Sequence, residues 1–548
     1  LCIYESRRSR HRTGDNDMTA METPVSIFND VLGPVMRGPS SSHTAASARI
    51  GMLAARLLGE EIKSVLVEFT PDGALATTYD GQGSDIGIAA GLMGLDASSP
   101  KMKDSLALLK GRGIDLKFAI RDYPGNHPNT YLLSLVSVSG RRLVVTAIST
   151  GGGMVQITHL NGIEVDVRGG YFELFLFVRG LSYDAIKTLP DYISKKYKGI
   201  RIESINISTV QDVTLLNIKT SAAIGKETRE EISSGFSFSD LLYTPPVLPI
   251  LSGKRCTVPF TSAHGLIMAM PGNETRLWEM AVQYESQRGD ISNKEVWKLA
   301  SGVYKVMRGS VRTGLKGTTN RDRILGRQSH LIGRAASAGR LIDSPLINNV
   351  ISNTMAVMES KSSSQKIVAA PTAGSCAVIP GAVTACADSF AFTEEECIRA
   401  VLAAGMIGAL IASQSTFSAE VAGCQAECGA ASAMAAAGIV QLLGGDAREA
   451  VNAASFALQN MLGLICDPVA NRVEVPCLGK NILGAVNAVT AANISMAGVD
   501  TVIPLDEVIG AMDSVGRALP RELRCTGCGG LSVTDTARAI ECRLSSRK

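Results

Sequence analysis

A chain of 548 residues is long enough for roughly three or four domains with large cores, and a formal net charge of +3 argues against a nucleic-acid or strongly membrane-directed surface. Hydrophobic residues make up 45% but aromatics only 5%, so the apolar mass is Ala, Val, Leu, Ile and Met, which suits closely packed helices. Twelve cysteines in a chain of this size do not make a disulfide scaffold, and with no apolar signal segment at the N-terminus a reducing cytoplasm is the expected location.

Residues 1–17, with Arg7, Arg8, Arg10, His11 and Arg12, read as a disordered or mis-assigned leader; Glu5, Asp15 and Asp17 speak against a transit peptide. An apolar segment over 25–38 leads to Pro39-Ser40-Ser41-Ser42-His43-Thr44. A helical pattern follows over 45–58, with Ile50, Leu53, Ala54, Leu57 and Leu58 on one face. The serine run therefore sits at a helix N-terminus, where hydroxyls cap and unpaired N–H groups favour a carboxylate. Four hydroxyls around one histidine exceed what capping needs.

Strands are expected at 65–69, 116–120, 131–137 and 142–147, with a Gly-rich segment over 79–87 and a His127-Pro128-Asn129-Thr130 turn. The apolar run 170–178 reads as a strand, followed by a helix over 183–197 and strands at 205–209 and 213–218. Residues 220–254 read as a linker, polar first and then Pro-rich. Beyond it helix follows helix: 274–287, 294–308 and 341–359 are amphipathic at the 3.6 period. The basic stretch 316–334 reads as a solvated face; without aromatic platforms, single-stranded nucleic acid is not expected.

The runs 401–413 and 429–443 are uncharged and rich in small residues, but fall short of the ~20 apolar residues that span a bilayer, so buried bundle helices are expected. The loop Pro371-Thr372-Ala373-Gly374-Ser375 opens a helix near Val378. It is neither a Walker A loop nor a dinucleotide fingerprint, and its hydroxyls suit a carboxylate or a plain cap.

Three cysteines further on each lie within two residues of a Gly or Pro: Cys424, Cys466 and Cys477, separated by 42 and 11 positions. Such bends let thiolates point at a cluster whose sulfurs accept hydrogen bonds from nearby backbone. Three thiolates can hold a [4Fe–4S] cube and leave one iron without a protein ligand. The bland alternative is three small buried hydrophobes. Cys525 and Cys528 form a C-x2-C without two further zinc ligands nearby, so they are neighbours of a cluster or bystanders. Cys376 and Cys428 read as structural.

Gly423-Cys424-Gln425-Ala426-Glu427, Cys466-Asp467-Pro468-Val469 and Val475-Pro476-Cys477-Leu478-Gly479-Lys480-Asn481 resemble the cluster-binding segments of iron–sulfur-dependent L-serine dehydratases (L-serine ammonia-lyases). The serine–histidine run, the His127 turn and the Pro371–Ser375 loop resemble other signatures of that family, with Ala377 where Gly is expected. The resemblance implies an α+β N-terminal domain with a small ACT-like α/β module, followed by a large all-α domain carrying the cluster. In residue terms that is a β-chain-like domain over 18–165, a partial ACT-like module over 166–219, the linker 220–254 and an α-chain-like helical domain over 255–548.

It implies a lyase of amino-acid catabolism and gluconeogenesis that takes L-serine to aminoacrylate, and hence to pyruvate and ammonia. A [4Fe–4S] cluster on Cys424, Cys466 and Cys477 would act as Lewis acid, and no pyridoxal phosphate is expected. His43 is the first candidate for the base and His127 the second. Ser40, Ser41, Ser42, Thr44, Asn129, Thr372, Gly374, Ser375, Lys480 and Asn481 are the candidate substrate contacts. A homo-oligomer, a dimer, with no nucleic-acid or membrane partner, is expected. A related cysteine desulfidase or threonine dehydratase, or a non-enzymatic cluster-containing sensor, stays open as an alternative.

Overall fold

The computed structural model describes residues 23–545 apart from 124, 126, 180–187, 189–192, 194, 197–200, 236–237, 254–255 and 321–322. The expected leader and most of the helix expected over 183–197 lie outside the described residues.

The N-terminal region is built on a six-stranded sheet. Strand β1 (Val35–Met36) belongs elsewhere; β2 (Ile62–Phe69), β3 (Asp115–Ile120), β4 (Thr130–Ser137), β5 (Arg142–Gly151), β6 (Met154–Leu160) and β7 (Ile163–Val167) line up in the order β3-β2-β4-β5-β6-β7. Only the β2–β3 pair is parallel. Alternation along β4 and β5 buries Tyr131, Leu133, Leu135, Leu143, Val145 and Ala147, and the helix Ala46–Leu58 adds Ile50, Leu53 and Leu57 to the same core.

A second helix, Ser84–Leu92, crosses the first at near backbone contact: a Cβ at Gly91 would sit 2.1 Å from the Ala48 carbonyl oxygen. This helix overlaps the end of the Gly-rich segment expected over 79–87, and Gly87 and Gly91 are what let the two helices touch. Strands β6 and β7 and the helix Ser105–Gly111 likewise have no counterpart in the sequence reading.

The small module departs most from expectation. Residues 220–254 are not a linker: they hold a helix, Lys226–Gly235, and a strand, β11 (Phe238–Thr244). With β8 (Phe172–Arg179), β9 (Ile202–Val210) and β10 (Val213–Thr220) they form an antiparallel sheet in the order β11-β8-β10-β9, so the module carries the fourth strand that the sequence reading lacks. The apolarity of β8 follows from burial on both faces. Phe175 and Phe177 join the core of the first sheet, whereas Leu174, Leu176 and Val178 pack with Ile193, Ile224 and Ile232.

The C-terminal region is helical, as expected. Its core centres on Glu394–Gln414 and Cys428–Leu442, wrapped by Val378–Phe390, Ala447–Gln459 and Cys477–Met496. The helix Glu394–Gln414 starts earlier than its uncharged run and is, by length and composition, apolar enough to cross a membrane; 78% of its most apolar window is buried inside the protein. Small residues allow this density. A Cβ at Gly408 would meet Val31 Cγ1 at 2.1 Å, so the N-terminal turn Ile27–Val31 plugs directly into the helical core.

Two backbone pairings shape the site, the first joining the halves and the second lying within the C-terminal region. Strand β1 pairs antiparallel with β12 (Ile367–Val368), with Val35 opposite Val368. A one-residue parallel bridge joins Cys466 to Arg524. The first sets the serine–histidine turn beside the Pro371–Ser375 loop, and the second folds the C-terminal stretch onto the cysteine segment.

Candidate functional site

His43 lies at the centre of the histidine wall. Ser40 caps the turn Ser41–Ala45 with its hydroxyl accepting from the His43 backbone N–H, and the turn continues into Ala46–Leu58. The His43 side chain is fully buried. Its Nε2 is 2.8 Å from Thr78 Oγ1, and its Nδ1 is 3.1 Å from both Ser40 Oγ and Ser42 Oγ. Thr78 spends its own proton on the Ala74 carbonyl at 2.6 Å, so its oxygen is an acceptor for Nε2–H. In the neutral ring that assigns the lone pair to Nδ1, on the side of the serines.

Beyond them stands Glu420, which the sequence reading missed. Its Oε1 is 3.9 Å from His43 Nδ1 and accepts from Ser42 Oγ at 2.8 Å, while its Oε2 accepts from Ser418 Oγ at 2.8 Å. Burial pushes the His43 pKa down to about 4, against the pull of Glu420. Burial pushes Glu420 up, but His43, its backbone contact and the Ser418 and Ser42 hydroxyls outweigh it and hold the carboxyl below its ordinary value. At neutral pH the pair is therefore a neutral imidazole beside a carboxylate.

Glu420 also lines a cavity of about 260 Å³ with His127, Arg521 and Arg524. His127 Nδ1 accepts the Asn129 N–H at 3.1 Å, which fixes the turn, and burial lowers its pKa. Asn129 is fully buried, yet neither side-chain amide atom has a partner; nor do Ser149 Oγ, Gln82 Oε1 and Arg524 Nε. Such orphans are costly and collect where something else is meant to bind.

The thiol wall faces this arrangement. Cys424 and Cys428 share a side-chain hydrogen bond, as do Cys466 and Cys525. Cys424, Cys428, Cys466 and Cys525 pack into one small cluster with Met461, and the charge of Cys424 reaches Cys466 and Cys477. All are free thiols. The hydrogen bond from Cys428, aided by Lys480, lowers the Cys424 pKa to about 7, whereas burial pushes Cys477 up to about 12. The bond to Cys525, with burial, holds Cys466 well above its ordinary value. Glu427, also missed by the sequence reading, is pushed up to about 8 by burial and by Cys424, so it keeps its proton at neutral pH. Among the described residues no three His, Cys, Asp or Glu side chains stand close enough to share one metal ion.

The remaining expected contacts are spent internally. Ser41 Oγ accepts from the Ala373 N–H at 3.0 Å, tying the two loops together. Thr44 Oγ1 donates to the Gln82 carbonyl. Thr372 Oγ1 donates to Glu427 at 2.6 Å, Ser375 Oγ bonds within its own loop, and Gly374 lies against the Glu427 carboxyl, where a Cβ would sit 2.6 Å from Oε1. Asn481 donates to the Gly374 and Cys477 carbonyls and accepts from the Ala377 N–H. Lys480 Nζ binds Asp467 and the Ile465 carbonyl, each at 2.6 Å. Cys525 lies inside the thiol cluster, whereas Cys528 is exposed.

Residues 272–532 match the family described as serine dehydratase alpha chain. The chain is 36% identical over 285 residues to a probable L-serine dehydratase alpha chain of Bacillus subtilis, covering 52% of this chain and 95% of that one. It is 34% identical over 208 residues to a probable L-serine dehydratase beta chain of the same organism, covering 38% and 92%. An L-serine dehydratase of Streptomyces coelicolor is 27% identical over 531 residues, covering 94% of this chain and all of the relative.

Proposed function

The chain belongs to the L-serine dehydratase family, with beta-chain-like and alpha-chain-like regions in one polypeptide, and from that premise we propose that it eliminates water from L-serine, giving aminoacrylate and hence pyruvate and ammonia. The observation that carries this reading is the meeting of a buried neutral imidazole, a carboxylate and a cluster of free thiols, supplied by segments far apart in the chain.

Cys424, Cys466 and Cys477 would hold a [4Fe–4S] cluster. The donor set suits it: the thiols are free and buried, Lys480 supplies counter-charge, and a cube takes ligands on separate corners rather than converging on one ion. When bound, such a cluster supplies the Lewis acidity that makes a hydroxyl a better leaving group.

The protein's own residues supply the rest. His43 Nδ1, whose lone pair faces the serine hydroxyls, takes the Cα proton of the amino acid. Glu420, within 3.9 Å, stabilises the imidazolium that forms. That proton is then available to the departing hydroxyl, so the elimination balances as water. Asn129, with both amide atoms unpartnered, is the expected contact best placed to bond substrate; Ser40–Ser42, Thr372, Ser375 and Asn481 serve by fixing the loops. The free thiols suit a cytoplasmic setting.

The test is anaerobic purification. A broad visible absorption that bleaches in air, together with loss of pyruvate formation, is expected. A colourless enzyme indifferent to oxygen would refute the cluster, and one that gives no pyruvate from serine would refute the activity.

A further inference from the structure

We propose that Glu420 and Arg524 form a clamp for the charged head of a free α-amino acid, the Glu420 carboxylate taking the ammonium and the Arg524 guanidinium taking the carboxylate. The inference rests on the reading above and specifies what its site selects.

Both residues line the same cavity of about 260 Å³. Glu420 is 6% exposed, and its two oxygens are aimed by the hydroxyls of Ser42 and Ser418. A carboxylate retains further lone pairs after two such bonds, and the imidazole beside it, His43 at 3.9 Å, is held neutral by burial. Arg524 is fixed against the chain next to Glu420, its Nη1 donating to the Val421 carbonyl at 3.3 Å. Its Nε is buried without a partner, and among the described residues it has no carboxylate partner.

The cavity thus presents a buried carboxylate and a half-buried guanidinium, with no ion pair between them. Leaving such charges unpaired is expensive, and a zwitterion pairs both at once. A simple amine or a simple acid pairs one and leaves the second exposed to the cost. Arg521 lines the same cavity but is exposed, so water already compensates its charge.

The experiment measures binding of three small probes to the full chain by ligand-observed NMR: glycine with both charges, ethanolamine with the ammonium alone, and glycolate with the carboxylate alone. In the wild type glycine should bind at least about tenfold more tightly than either partial probe, since each charge-assisted bond contributes on that scale. Glu420→Gln should weaken glycine and ethanolamine about tenfold and leave glycolate unchanged; Arg524→Gln should weaken glycine and glycolate and leave ethanolamine unchanged. Equal wild-type binding of the three probes, or parallel loss of all three in either variant, overturns the clamp. The wild-type comparison holds even if a variant fails to fold. If this pattern is found but serine yields no pyruvate, the clamp stands and the elimination falls. If both variants turn over serine with unchanged KM, the clamp falls and the elimination stands.

Discussion

The two walls of the site are finished to different degrees. On the histidine side the hydroxyls of Ser40, Ser42 and Thr78 and the carboxylate of Glu420 close into a network that partners both ring nitrogens of His43. On the other side like groups are pressed together: Cys424 against Cys428, Cys466 against Cys525, and an acid that keeps its proton at neutral pH at Glu427. The first wall is a preorganised proton acceptor; the second stores a cost that a bound cluster would relieve. Function is therefore expected to separate cleanly into metal retention on one side and proton transfer on the other.

The largest expected effect tests that separation. Cys424→Ala, Cys466→Ala and Cys477→Ala should each abolish iron and acid-labile sulfide retention and reduce activity to background. Cys386→Ala, in the helical core and outside the thiol cluster, should leave the iron content unchanged. His43→Gln is the converse: iron stays, and kcat falls by about 10²- to 10⁴-fold. A His43 variant that loses its iron would collapse the two walls into one.

Stability against pH sharpens the comparison in the cluster-free protein. Glu427 keeps its proton in the folded state up to about 8, while the unfolded chain releases it near 4.5, so stability is lost as pH rises through that window. Glu427→Gln should recover a few kcal/mol at pH 8 and change little below pH 4.5, read as denaturant midpoints. His43 runs the other way. Its folded value of about 4 lies below the ordinary 6.5, so the unfolded chain binds the proton first and stability falls as pH drops from 6.5 to 4. In His43→Gln that acid loss should shrink by on the order of 3 kcal/mol, measured as the same midpoints. The smallest effect is expected at Cys528, which is exposed: Cys528→Ser should shift stability by less than about 0.5 kcal/mol and leave iron content unchanged.

What was legible in the sequence follows the same division. The thiols announce themselves through their Gly and Pro neighbours, and His43 through its run of hydroxyls, because both depend on local turns. Glu420 has no such signature. It reaches the site from a short helix, Ala419–Ala422, by bonding a serine 378 positions away, and only tertiary structure makes that contact. Cys525 was readable as a possible neighbour, but its pairing with Cys466 depends on the bridge at Arg524.

In the fold, long strongly periodic helices were legible, as was the change of character after the small module. The segment Lys226–Gly235 was not. Its run of charges reads as solvated linker, yet Ile232 is fully buried beneath it, so a single apolar residue, with Ile224 just ahead of the helix, sufficed to dock it. Ser84–Leu92 was hidden for the opposite reason, since its glycines serve helix contact rather than a loop.

The central claim is an elimination on L-serine, and the most direct measurement is product analysis of the anaerobically purified protein with L-serine as sole substrate. Equimolar pyruvate and ammonia, formed by the wild type and not by Cys466→Ala or His43→Gln, is the predicted result. Absence of both products from an iron-loaded protein, or their formation at full rate by the Cys466 variant, would contradict it.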